Sequence, residues 1–587
     1  MDGIAKQERA PAASFVTTSD MALSLKLDKK KYQNKVKQME ENRQNYLKRW
    51  KSIRDFQLPY IGNFDDTTDS TDYARRRDTN IYHSVAWQAN QAFAAGVMSG
   101  LTPPSRQWFR LNWTSEDMKN YPEAAELLDK RMTILQDVLL KSNFYNAIHS
   151  AYLELAFGQA PLAVFQDSDT GVHFVPFTIG TYMMENGPDG IVDTFCTKFE
   201  MTAQQLVDKY GCDKVPASIR MQLESGGGLK TKYKVWWLVE PNRFHDRNRE
   251  IMDKYHMKYL SLYWLEVGDT NEFLDIGGFE EWPIPVARYL VTGNETYGKG
   301  PGWFAEGDSK GLQKLEKDDI VAVELGVKPP MMGSATTAKQ GINLVPGSYT
   351  IVGRDEPVKP LFQTQINLQH LQQKILDLQD RVKRSYSADL FMMLERLEDK
   401  NMTAQEVLQR KQEQLQQLGP VVQRLQFEFL RLLIERVYRI LDRAGVLPQA
   451  DDPELAQLMS QEEVNIEYIS PLAQAQKMAG LTNIEQAIAF TGQLAQFDQS
   501  VLDKVNWTKA IDSYFDMVGA PASLKRSEKE FEEIQQQKAQ AAAKQQQQAE
   551  LAQAVQMAAP AAQAAKNITD AANDGNPALQ QWLGGIM

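Results

Sequence analysis

The chemistry most nearly spelled out by this sequence is phosphate binding. Gly293-Asn-Glu-Thr-Tyr-Gly-Lys-Gly300 has the spacing G-x-x-x-x-G-K, between a strand-like run, Pro285-Val-Ala-Arg-Tyr-Leu-Val291, and a helical segment that begins at Trp303. In a nucleotide-binding loop that context aims backbone N–H groups at phosphate oxygens, and the lysine adds charge. Two defects oppose it. The hydroxyl that would hold Mg²⁺ is replaced by Gly300, and Pro301 lacks an N–H where the cradle needs one. The stretch therefore reads as a structural turn made by Gly298, Gly300, Pro301 and Gly302, with no cofactor. A P-loop nucleic-acid motor is the alternative that this motif keeps in view.

Other catalytic patterns are weaker. The six histidines, His83, His149, His173, His245, His256 and His370, lack the paired spacing of a zinc helix, and no nucleophile elbow is visible. The acidic tract Asp65-Asp-Thr-Thr-Asp-Ser-Thr-Asp72 lacks the spacing and terminal glutamate of an EF-hand, and reads as a solvated loop. Neither a catalytic nor a metal site is expected. Two cysteines, Cys196 and Cys212, cannot make a disulfide framework, so the chain suits a reducing compartment. With no apolar run of membrane-spanning length and no signal h-region, synthesis in a cytoplasm and no membrane association are expected. The net charge of −11 argues against a surface coated all over by nucleic acid, yet leaves room for a conduit that DNA must slide through.

The elements around the glycine turn form an arm. A first helical segment runs from Trp303 to about Val327, with a loose apolar stripe of Leu312, Leu315, Ile320 or Val321, and Val323. A Pro-, Gly- and Thr-rich insert follows, from Pro329 to Pro360. In the second helix, Ile366 to Tyr386, the residues Leu368, Leu371, Ile375, Leu378 and Val382 make one narrow seam, suited to packing on a neighbouring helix. Roughly 20 residues at 1.5 Å each give a rod of about 30 Å. Two such rods make a hairpin with a small module at its tip. A long helix begins near Thr403, in a Thr-x-x-Glu capping pattern with Glu406, and Gly419-Pro420 within it predicts a kink. Beyond the kink a wide apolar surface runs from Val422 to Leu441. A scaffold or coiled-coil adaptor built on the helices at 366–443 and 527–558 is the second alternative.

The rest of the chain, at 587 residues and 43% apolar, can bury a large core. Helices are expected at about 28–56, 79–100, 122–142 and 145–157, and a short one is capped by Thr202 with Gln205 and stops at Gly211. Strands are expected from Leu162 to Phe199, and at Tyr233–Val239, Lys258–Glu266, Glu272–Leu274 and Pro285–Val291. The chain past Pro448 reads as acidic and polar through Glu467, before a helical stretch and an Ala- and Gln-rich tail.

Several stretches resemble the portal, or head-to-tail connecting, proteins of short-tailed bacteriophages. They are Ala94-Ala-Gly-Val-Met-Ser-Gly-Leu-Thr-Pro-Pro104 with Trp108-Phe-Arg-Leu111, Ser142-Asn-Phe-Tyr145 leading to Ala156-Phe-Gly158, and Tyr297-Gly-Lys-Gly-Pro-Gly302. The resemblance implies an α+β portal fold. Its parts would be a flexible N-terminal arm (1–27), a mixed α/β wing (28–300), a stem of two helices (301–327 and 365–387), a small clip insert (328–364) and a tunnel loop (388–402). A long kinked helix with the wing return (403–479), a C-terminal helical crown (480–558) and a mobile tail (559–587) would complete it. It further implies a ring, usually of twelve copies, at one capsid vertex, passing double-stranded DNA. Its partners would be terminase, scaffolding and major capsid proteins and tail adaptors, in a virion made in a bacterial cytoplasm. On that reading Lys310, Lys314, Arg396 and Lys400 face DNA. Lys328, Lys339, Arg354 and Lys359 give the clip a basic tint, from ordinary solvated charge or from contact with DNA or a motor protein. Gly298, Gly300, Pro301 and Gly302 launch the stem, and Gly419 and Pro420 bend the long helix.

Overall fold

The computed structural model describes residues 27–64, 78–114, 122–224, 231–243, 254–266, 273–333, 358–361, 368–388, 418–450, 452–461 and 464–469, with isolated positions elsewhere. In chain order the elements are α1 (Lys29–Phe56), α2 (Val85–Leu101), β1 (Phe109–Trp113), α3 (Pro122–Lys141), α4 (Phe144–Glu154), β2 (Gln159–Asp167), β3 (Gly171–Pro176), β4 (Tyr182–Asn186), β5 (Val192–Thr202), α5 (Ala203–Tyr210) and α6 (Ala217–Glu224). There follow β6 (Lys232–Pro241), β7 (Tyr259–Leu265), β8 (Asp275–Phe279), β9 (Val286–Arg288), a helical turn Pro301–Phe304, α7 (Glu306–Val327), β10 (Met331–Met332), β11 (Lys359–Pro360), α8 (Leu368–Ser385), a π-helical turn Leu425–Leu430, α9 (Arg431–Arg443), α10 (Pro453–Gln461) and β12 (Val464–Tyr468). The architecture is α+β.

Two antiparallel sheets carry the core. One runs β4-β5-β6-β7-β8 and the other β3-β2-β9. In β6 the alternation sends Val235, Trp237 and Val239 into the main core and Trp236 and Leu238 into a second cluster on the opposite face. Burial on both faces is why this strand reads as an almost continuous apolar run. The cover on the second face is α1. Its Tyr32, Val36 and Met39 pack there, and Trp50 and Ile53, further along the same helical stripe, enter the main core. Asp28 starts the helix by accepting from the Lys30 N–H at 3.0 Å. Thr202 and Gln205 exchange both bonds of a capping box at the start of α5, which ends at Gly211 with φ +87°.

Three segments differ from the expectations. The helix expected over 79–100 starts only at Val85, because the chain before it turns at Thr79–Asn80 and the N–H groups of Tyr82 and His83 are bonded to Gln313 of α7. The strand expected at Glu272–Leu274 is found at Asp275–Phe279, pairing with β7. The polar stretch before Glu467 contains α10 and β12. The latter pairs with β1 from Phe109↔Tyr468 to Trp113↔Val464, joining segments more than 350 residues apart. Polarity hid that strand because its residues are only half-buried.

The hairpin at the root of the arm

The arm is α7 packed on α8. Leu312, Ile375 and Val382 are buried between or beneath them, and Leu315, Leu371 and Leu378 are half-buried. At Gly311 a Cβ would lie 3.7 Å from Leu378 Cδ1, an ordinary contact, so the two helices meet here without requiring a glycine. Arg381 bridges back to Asp308 at 2.8 Å. The expected stripe holds only near the root. Ile320, Val321 and Val323 are exposed, as are Leu325, Val327 and, on α8, Leu376.

The root itself is a dense polar joint. Glu306, in the first turn of α7, accepts from Arg49 Nε (2.7 Å), Ser52 Oγ (2.7 Å) and Lys310 Nζ (2.8 Å). Burial works against its charge, but these three bonds outweigh burial and hold its carboxyl below the ordinary glutamate range. Gln313 is 3% exposed and fully used. Its carbonyl accepts from the N–H groups of Tyr82 and His83, and its amide donates to the carbonyls of His83 and Phe56. From the end of α1, Gln57 donates to the Gly302 carbonyl at 2.9 Å and accepts from the buried Tyr386 hydroxyl at 2.7 Å. One glutamine thereby ties α1, the glycine turn and the end of α8.

The glycine turn is filled by the chain itself. A Cβ at Gly298 would lie 2.2 Å from the Gly158 carbonyl oxygen. One at Gly300 would lie 2.2 Å from that of Leu155 and 2.4 Å from that of Ala156. At Gly302 the Ala156 oxygen is 2.8 Å away. Gly158 has φ +116°, a conformation side chains disfavour. The Lys299 N–H donates to the Leu290 carbonyl (2.7 Å), and its Nζ bonds Thr292 Oγ1 (3.1 Å) and Glu295 Oε1 (3.0 Å). Carbonyl oxygens of residues 155, 156 and 158 thus crowd the glycines, and the Lys299 N–H and Nζ are already bonded within the chain. Trp303 closes the joint with a bond from its indole N–H to the Phe157 carbonyl at 2.8 Å.

The other residues singled out in the sequence scatter. Lys310 is bound to Glu306 and lies over the Phe56 ring, 5.3 Å from its centroid. Lys314 is exposed on α7. Lys328 ends α7, and Lys359 pairs with Met332 in the two-stranded ribbon beyond it, so these two share the far end. Lys339 is exposed. Gly419 and Pro420 lie in a helical stretch, 418–424, that leads into the π turn. Arg354, Arg396 and Lys400 lie outside the described residues, as does most of the clip, tunnel-loop, crown and terminal segments. Sequence reasoning missed Gln57, Gln313 and Arg288. The only signal was an arginine within the apolar run of β9; neither glutamine stands out from its neighbours.

Among the described residues no group of three His, Cys, Asp or Glu is placed to hold a metal, and no helix is long and apolar enough to cross a membrane.

Residues 29–525 match the family described as bacteriophage head to tail connecting protein. The portal protein of Salmonella phage epsilon15 is 32% identical over 520 residues, spanning 88% of this chain and 92% of its own length. The probable portal protein of Bordetella phage BPP-1 is 31% identical over 491 residues, 83% of this chain and 87% of its own. A chain from the virion of a native gene transfer agent particle aligns with 63% of this chain and 98% of its own at 8% identity, with a TM-score of 0.25, too slight a likeness to inform the fold.

Proposed function

This chain belongs to the bacteriophage head-to-tail connecting proteins, and from that premise we propose that copies of it close a ring, usually of twelve, that forms the channel for double-stranded DNA at one capsid vertex. The observation that carries the ring is the outer half of α7. Ile320, Val321, Val323, Leu325 and Val327 stand exposed on fewer than three turns. A soluble protein does not leave such a patch to water, and neighbouring copies of the same hairpin would cover it. The α7–α8 hairpin is then the stem, the β10–β11 ribbon part of the clip, and the two sheets with their helices the wing. Lys310, Lys314, Arg396 and Lys400 would face DNA. Lys328, Lys339, Arg354 and Lys359 would meet the packaging terminase and later the tail adaptors, while scaffolding and major capsid proteins hold the wing. The work is mechanical, with ATP hydrolysis left to the terminase. The packing of the glycine turn favours this over nucleotide binding, because its glycines lie against backbone carbonyls and Lys299 is bonded to Leu290, Thr292 and Glu295.

Light scattering on the purified protein, with images of the same peak, tests the ring. Twelve copies weigh 12 × 66.6, about 799 kDa, and show a central hole end-on. A stable dimer or trimer of elongated rods would instead make the chain an adaptor.

A further inference from the structure

The helical stretch from 418 to 443 is not α-helical throughout. At Leu425–Leu430 it widens into a π turn, so that the Arg431 N–H donates to the Gln426 carbonyl five residues back. Such turns accommodate one residue more than an α turn, are rare, and persist where something outside the helix favours them. Here two outside contacts meet the widened turn. On one side Glu428 accepts from Arg288 Nε of β9 at 2.8 Å. On the other the Tyr468 hydroxyl of β12 donates to the Gln426 carbonyl, already in use, at 2.9 Å.

Arg288 is 1% exposed, and Glu428 is one of four partners. Nη1 donates to Asn186 Oδ1 (3.1 Å) and the Thr296 carbonyl (3.3 Å), and Nη2 donates to the Gly190 carbonyl (2.7 Å). A single planar cation therefore joins the β4–β5 connection, the glycine turn that precedes the hairpin, and the π turn. The rest of the helix is anchored independently, since the wholly buried Arg436 donates to the Val164 carbonyl at 2.9 Å and lies 3.4 Å from Glu281. Within the widened turn, buried Gln426 Nε2 and Arg431 Nε have no partner, so the π register leaves polar atoms unused.

We propose that Arg288 is a positioning residue: its bond to Glu428 holds the helix in the π register, and thereby fixes the direction of residues 418–424 relative to the turn that launches the hairpin. Without that bond the turn relaxes to α. The helix slips by one residue, which rotates the upstream stretch by about 100° and moves it by about 1.5 Å. The inference concerns the single chain and stands whether or not copies assemble in a ring.

Hydrogen exchange on the full-length protein separates this from a general stabilising role. In Glu428→Gln, exchange across Leu425–Arg431 is expected to rise about tenfold, the factor implied by loss of one charge-assisted hydrogen bond, with the later amides of α9 unchanged. Arg288→Lys, which retains charge but cannot reach all four partners, should raise exchange in the same segment, by less than Glu428→Gln does. If Glu428→Gln speeds both segments together, or neither, Arg288 is not setting the register. Glu428→Asp keeps the charge but shortens its reach to Arg288, and serves should the first variants fail to fold. A rise confined to the same segment supports the register model, and no change overturns it.

Discussion

The two ends of the hairpin are built on opposite principles. At the root, Glu306, Gln313, Gln57 and Tyr386 bond to groups of the same chain, and backbone touches backbone at Gly158 and Gly298. At the far end α7 shows Val321, Leu325 and Val327 to solvent, and an added methyl at Gly326 would meet nothing within 4 Å. The root is completed by its own sequence; on the proposed function the tip is covered by neighbouring copies. A substitution at the root should therefore be felt in the folding of one chain, and one at the tip only in what the chain assembles into.

The largest effect is expected from Gly300→Ala. Its Cβ would sit within 2.4 Å of two carbonyl oxygens that belong to the backbone and cannot swing aside. The cost is roughly 3 kcal/mol or more, read as a lowered thermal midpoint or loss of soluble protein. A fully stable variant would mean the turn is not the joint described above. At the tip, Val321→Glu with Leu325→Glu should leave the single chain's unfolding within about 0.5 kcal/mol of the parent, as for other exposed positions. The same pair should shift the mass in light scattering from ring to monomer. Rings that survive both charges would move the contact between copies elsewhere.

This contrast was only half legible in the sequence. The seam from Leu371 to Val382 announced a hairpin because periodicity reports which face is apolar, and Gly298–Gly302 announced a tight turn because glycine reports close approach. Neither reports what lies opposite. That the turn faces Leu155–Gly158 depends on contacts between distant segments, and the stripe from Leu312 to Val323 looks continuous although only its first part is covered. Gln57 and Gln313 were invisible, since a glutamine that bonds backbone on both sides has the same letter as one in solvent. The π turn was equally hidden. Its outside contacts come from β9 and β12, and Gly419-Pro420 drew attention to a site a few residues away.

A pH-dependent effect should arise close to the root. Glu154 ends α4, immediately before the carbonyls that face Gly300, and accepts from the Ile179 N–H at 3.0 Å. Burial is the main cause that lifts its carboxyl from 4.5 to about 8, against bonds from Ile179 and Thr178. The folded chain then holds this proton more tightly than the unfolded one. Its contribution is complete below about pH 4.5 and declines as pH rises through 8, by at most about 1.4 kcal/mol per unit. Glu154→Gln keeps an acceptor for Ile179 without a proton to lose. Its thermal midpoint should change less between pH 5 and 8 than the parent's, and an identical slope in both would show that Glu154 is not the group responsible.

The smallest effect is the most discriminating, because it repeats the root substitution at the opposite end. Gly326 lies in the last turn of α7 with open space around it, so Gly326→Ala should stabilise the single chain by about 0.5–1 kcal/mol through helix propensity alone. The ring need not follow. If a neighbouring copy brings its backbone against Gly326, as Gly158 does against Gly298, the added methyl will weaken the assembly while strengthening its parts. Unfolding of monomer and ring measured side by side decides the matter. A gain in both places the contact between copies on the side chains of Val321 and Leu325. A gain in the monomer with a loss in the ring makes the tip a second close-packed joint, formed between chains.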